Sequence, residues 1–184
     1  MKLLTNALSV ASLAAISAAI NMAGVWPAHA QVQLSGKTLP LSLAQDAAQE
    51  AIRTCEASGY RVSASVVDVA GVERAFLRGD RSTIHTRETA FKKAYTVATL
   101  GPIFGATTSG MLTEKISKTP TGPALASVSN VILLAGGVAI RAGDETIAAL
   151  GVGGAPGGAL DELCAKAGVA KVQERVNALT APQP

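Results

Sequence analysis

The reactive side chains of this sequence crowd into one stretch, His85-Thr86-Arg87-Glu88-Thr89-Ala90-Phe91-Lys92-Lys93-Ala94-Tyr95-Thr96. His85 has three readings there: an axial ligand to haem iron, a general base, or a surface histidine. A lone histidine makes no catalytic triad, and no acid and oxyanion hole can be placed around a Ser–His pair, so no residue is assigned a catalytic role. Lys92 and Lys93 are either solvated or, beside an apolar pocket, point charges for the propionates of a ligand. Tyr95 reads as core, as a hydrogen-bond donor, or as a phenolate ligand.

A second stretch, Gly151-Val152-Gly153-Gly154-Ala155-Pro156-Gly157-Gly158, invites comparison with phosphate loops. It fails their tests, because no Gly-Lys-Ser/Thr follows and Pro156 takes the third glycine position of the dinucleotide pattern. What remains is a strand-to-helix turn. Its backbone N–H groups at Gly153, Gly154, Gly157 and Gly158 either close a plain turn or bind an anion such as a carboxylate.

The N-terminus reads as a removable leader. Lys2 is followed by an apolar run from Ala7 to Val25, then Trp26-Pro27 and the small-x-small pattern Ala28-His29-Ala30. The competing reading is an uncleaved membrane anchor. Removal of residues 1–30 would start the mature chain at Gln31, discard Trp26 and His29, and leave His85 as its sole histidine. Such a chain is periplasmic or secreted, with no later segment apolar enough to span a bilayer. In that oxidising setting Cys55 and Cys164 either bridge, which requires their predicted helices to lie side by side, or stay as two buried thiols. No second Cys or His at ligand spacing supports a Cys-based metal site. The net charge of +3 comes without a Lys/Arg run, which excludes a phosphate-tracking nucleic-acid binder.

These residues need elements to hold them. After a lead-in over residues 31–40, Ser42 and Gln45 suggest a capping box for a helix that buries Leu43, Ala44, Ala47, Ala48, Ala51, Ile52 and Cys55 and stops at Gly59. Arg61 to Val69 and Val72 to Arg78 read as a β-hairpin turned by Asp68-Val69-Ala70-Gly71. Thr86 is a plausible N-cap for the reactive helix, which Gly101-Pro102 should end. A weaker helix over Phe104 to Ile116 and a proline-bearing loop over Lys118 to Pro123 follow. Val128 to Leu134, Val138 to Arg141 and Thr146 to Val152 read as strands, and a helix runs from about Ala159, bent or restarted at Gly168. The expected fold is one α+β domain over residues 41–180, a five-stranded, mainly antiparallel sheet flanked by helices, with a tail at 181–184. Its terminal helices would cover one sheet face together, which brings the two cysteine-bearing segments near each other.

Four segments, in this order and spacing, carry a resemblance. They are Val66-Val67-Asp68-Val69-Ala70-Gly71, His85-Thr86 with Lys92-Lys93-Ala94-Tyr95-Thr96, Gly136-Gly137-Val138-Ala139-Ile140-Arg141, and the glycine run followed by Asp161-Glu162. Together they resemble the GlcG/HbpS-like extracellular haem-binding family, which is related to the C-terminal domain of PduO-type corrinoid adenosyltransferases. The resemblance implies a profilin-like fold, homo-oligomers with ligand sites near subunit interfaces, haem as the cofactor, and roles in sensing haem or protecting against it. Ligation in that family uses a threonine or a histidine on the first helix. Leu43 to Ser58 contains no histidine, so His85 is the natural replacement, with Thr86, Thr96 or Tyr95 behind it. Competing functions are an organic-acid-binding protein or enzyme accessory in catabolism, served by the glycine loop, and an oligomeric interaction module.

Overall fold

The computed structural model describes residues 36–179, all within the compact unit Leu34–Pro184. The expected leader, the start of the lead-in and the tail lie outside the described residues. Helix α1 (Leu41–Ala57) buries the seven residues its periodicity singled out, Leu43 through Cys55. Its start differs from expectation. Pro40 takes the N-cap position and its carbonyl accepts from Ala44 N at 3.1 Å, so Ser42 sits exposed inside the first turn and caps nothing. Gly59 ends the helix at φ +83°, a conformation open to glycine without strain.

Strands β1 (Ser63–Asp68) and β2 (Glu73–Arg78) form the expected hairpin. Asp68 makes its turn, its Oδ1 accepting from Ala70 N and Val72 N, each at 3.0 Å. Strands β3 (Gly137–Ala142) and β4 (Glu145–Gly153) form a second hairpin, and all neighbours in the order β2-β1-β4-β3 are antiparallel.

The sheet has four strands among the described residues, not five. Val128 to Leu134 is turn and irregular backbone, because the edge it would need is taken. Ala139 N donates to Thr107 O at 2.9 Å and Thr108 bridges to Val138 on the outer side of β3. The apolar run is buried by other means: Val131 is buried, and Leu133 packs on Ala106, Leu112 and Ile116.

Helix α2 (Thr86–Phe104) passes through Pro102 and stops a turn later, at left-handed Gly105. A proline this near the C-terminus forfeits little of the hydrogen-bond ladder. Thr108 then caps α3 (Ser109–Ile116), accepting from Met111 N at 3.1 Å. The expected loop contains the start of a short helix, α4 (Gly122–Ala126), with Pro123 in its first turn, where no N–H is needed. Helix α5 (Gly158–Asn177) runs through Gly168 as one element and does not restart there. That glycine is where α5 meets α1, and a Cβ there would strike Ala47 O and the Leu150 side chain.

Helices α1 and α5 share one face of the sheet over the larger core, which includes Ile52, Val66, Leu150 and Val172. Helix α2 covers the other face over Val67, Val97 and Ala149. Cys55 and Cys164 are joined as a disulfide between α1 and α5, with their Cα atoms 5.5 Å apart. No described helix is long and apolar enough to cross a membrane.

Helix α2 lies on the sheet along glycines. A Cβ at Gly151 would meet Ala90 O and Ala94 N, one at Gly153 would meet Thr89 Oγ1, and one at Gly137 would meet Lys93 O. Gly151→Ala should therefore cost about 1–3 kcal/mol, the usual penalty of overpacking. Gly157→Ala, at a position with nothing within 4 Å, should be close to neutral. Urea midpoints of the two variants provide the comparison, and equal midpoints would refute the close-approach account.

Candidate ligand-binding site

The start of α2 and the edge strand β2 enclose a groove of about 700 Å³ lined by Glu73, Ile84, His85, Arg87, Glu88 and Phe91. His85 is the N-cap residue of α2 and is exposed. Its imidazole has no hydrogen-bond partner among the described residues. Ile84 beside it is 81% exposed, an unusual cost for so large an apolar side chain.

A buried row of hydroxyls fixes this corner. Thr86 Oγ1 donates to Thr83 O at 2.6 Å, so it can only accept from Ser63 Oγ at 2.7 Å. Ser63 must in turn accept from Ser82 Oγ at 3.1 Å. Arg78 Nε clamps the same loop by donating to Ser82 O at 3.0 Å. The chain enters α2 with Thr86 facing the interior, so Ile84 and His85 face out.

The charges around the groove are paired in an uneven way. Lys92 lies 2.7 Å from Glu88 and holds that carboxyl below the ordinary carboxylate value. Arg87 stacks over the Phe76 ring, 5.5 Å from its centroid, and reaches Glu73 Oε2 only at 3.5 Å. The other oxygen of Glu73 accepts from Ser65 Oγ at 2.8 Å.

The remaining residues expected at a cofactor are placed elsewhere. Thr86, Lys93 and Thr96 are buried. Thr96 Oγ1 accepts from Ile132 N at 2.9 Å and so anchors the segment that does not form a strand. Lys93 Nζ donates to Asp161 Oδ2 at 2.6 Å, away from the groove. Tyr95 is half-buried, its ring 5.9 Å from Phe91 and against Gly71, where a Cβ would come within 2.7 Å of Cε2. Lys92 is half-buried and tied to Glu88.

The glycine run faces a carboxylate of its own chain. Asp161, in the first turn of α5, accepts from Ala155 N at 3.0 Å with one oxygen and from Lys93 with the other. Burial pushes the Asp161 carboxyl above its ordinary value, with Lys93 and the Ala155 N–H opposing that rise. Gly153 presses against α2, Gly154 against Arg61 and Val62 just before β1, Gly158 packs on Ala135 O, and of these four only Gly157 is open.

Thus His85 stands alone among the expected ligands in lining the groove, and Ile84, Arg87, Glu88, Phe91 and Glu73 join it. His85, Glu88 and Lys92 recur at three- and four-residue steps, a helical face that sequence can show. Glu73 and Phe76 come from another element and leave no local signal.

A helix-flanked, four-stranded antiparallel sheet with an open groove at the start of its central helix defines a class of small α+β domains. Within that class, the chain belongs to the HbpS-like family, whose model, described as haem degrading protein HbpS-like, matches residues 39–170. The structure is similar to that of HbpS, with TM-score 0.65 and 34% identity over 76% of this chain and 93% of that one. It is equally similar to a double mutant of Streptomyces reticuli HbpS, TM-score 0.65 and 34% identity over 78% and 97%. The complex of PduOC with haem matches at TM-score 0.61 and 22% identity over 73% and 95%, a likeness of fold. No curated protein is significantly similar in sequence.

Proposed function

We propose that the protein is an exported haem-binding protein that sequesters or senses haem, built as a homo-oligomer of profilin-like domains, with His85 as an axial ligand to the iron. The observation that carries the reading is the pairing of an exposed, unpartnered imidazole with the apolar surface of Ile84 and Phe91 in one groove. Its volume of about 700 Å³ falls in the range that small-molecule sites occupy. Neutral imidazole is a common haem ligand, and a porphyrin would supply a flat apolar face to cover Ile84 and the open side of Phe91. Membership of the HbpS-like family and the haem complex of the PduOC relative support the same ligand. The disulfide suits an oxidising compartment. The organic-acid alternative loses ground, since Asp161 already answers the N–H of the glycine loop.

Haemin added to the purified protein should give a saturable, shifted Soret band. His85→Ala should move that band and weaken binding on the order of tenfold, about 1.4 kcal/mol. An unchanged haemin spectrum across the titration would overturn the proposal.

A further inference from the structure

Arg87 is the one lysine or arginine among the described residues that line the groove, and no close partner claims it. Its side chain is 66% exposed, and its contact with Glu73 Oε2, at 3.5 Å, is beyond ordinary N–H···O distance. Lys92, by contrast, is closed on Glu88 at 2.7 Å. Glu73 gives its second oxygen to Ser65, so it steers the guanidinium without saturating it. The guanidinium carbon lies over the Phe76 ring, 5.5 Å from its centroid, which supports the group from one side. That leaves a pre-positioned planar fork with most of its five N–H donors unspent, the shape that takes a carboxylate with two parallel hydrogen bonds. It stands one turn from Phe91 and two residues from His85, so the fork and the apolar bed border the same groove.

We infer that Arg87 is the specificity-determining residue of this groove, pairing its guanidinium with a carboxylate at the edge of a flat apolar ligand. The inference rests on the proposed ligand class and adds what selects within it. A porphyrin bearing free carboxylates satisfies Arg87, whereas the same ring with esterified carboxylates leaves it to water. Glu73 and Glu88 would repel a carboxylate that approached elsewhere along the groove, which sharpens the choice of Arg87.

The test uses iron-free protoporphyrin and its dimethyl ester, followed by porphyrin fluorescence with the purified protein. Without iron, His85 makes no axial bond, so the readout isolates Arg87. The free acid should bind roughly tenfold more tightly than the ester, and added salt should erode that preference. Arg87→Met should bring the acid down to the affinity of the ester and leave the ester unchanged. Arg87→Lys, which keeps the charge and loses the fork, should restore only part of the difference. A wild-type melting temperature for Arg87→Met would show that it folds. Equal binding of acid and ester by the wild type, or a preference that survives in Arg87→Met, would overturn the inference. A preference without any haemin Soret change would sink the axial role of His85 and leave Arg87 standing. A Soret change without a preference would do the reverse, and no binding of either porphyrin would sink both.

Discussion

Lys93→Met lowers the unfolding free energy by about 3–5 kcal/mol near pH 7, the cost of stranding a buried charge. The side chains of Lys93 and Asp161 are 4% and 3% exposed and meet at 2.6 Å, 68 residues apart in the chain. Without the ammonium, Asp161 keeps one N–H, from Ala155, and a desolvated carboxylate. Burial already raises this carboxyl above its ordinary value of 3.8, and loss of Lys93 removes the main opposing influence. Its folded pKa therefore climbs further above the unfolded value. A group shifted in that direction contributes stability that is complete below the unfolded pKa and is lost as pH rises through the folded one. The gap between Lys93→Met and wild type should accordingly narrow from about pH 7 to about pH 4. Adding Asp161→Asn, which keeps an acceptor for Ala155 and removes the charge, should recover most of the loss. Urea titrations at both pH values provide the check. A single-variant loss below about 1 kcal/mol, the scale of a surface pair, would show that the pair is not the buried tie seen here.

The same two residues show where the sequence ran out. Lys92 and Lys93 are neighbours in the chain, yet 3.6 residues per turn turns one toward Glu88 on its own helix and the other into the core. Only the position of Asp161, in the first turn of α5, distinguishes them, and that partner lies 68 residues away in another element. The glycine run failed for a related reason. Glycine serves both anion loops and close backbone approach, and the two uses look alike in a sequence. Here Gly151 and Gly153 admit α2, and the Gly-rich turn serves Asp161. Local signals fared better: the buried stripe of α1 and the Asp68 turn follow from spacing and turn chemistry. Helix α2 starts within one residue of the expected place, although His85 takes the N-cap position and Thr86, its hydroxyl given to Thr83 O, is the first helical residue and caps nothing. Val128 to Leu134 offered apolar content without alternation, which periodicity alone cannot assign. His85 was legible as a residue type, but its exposure depends on Thr86 being drawn inward by Ser63, a strand residue.

Replacing both cysteines, Cys55→Ala with Cys164→Ala, should cost the protein about 4–5 kcal/mol. The bridge closes a sequence separation of 109 residues, and in the chain-entropy model a loop of about 100 residues restricts the denatured chain by about 4.7 kcal/mol. That loop contains all four strands and α2, so its release acts on the whole unit and should lower one cooperative transition, without a separate early step. The helices retain other contacts. Gly168 is packed on Ala47, and Arg175 meets Asp46 at 2.8 Å, an exposed pair worth at most about 1 kcal/mol. The variant should thus keep a native circular dichroism spectrum while its denaturant midpoint falls. Dithiothreitol should bring the wild type down to nearly the same midpoint and leave the variant where it was. Identical wild-type midpoints with and without reductant would remove the bridge from the stability argument. Because the effect acts on the unfolded chain, the folded variant should bind porphyrin with wild-type affinity: His85, Arg87 and Phe91 are positioned by β1, β2 and α2, none of which touches the sulfur atoms through a direct bond.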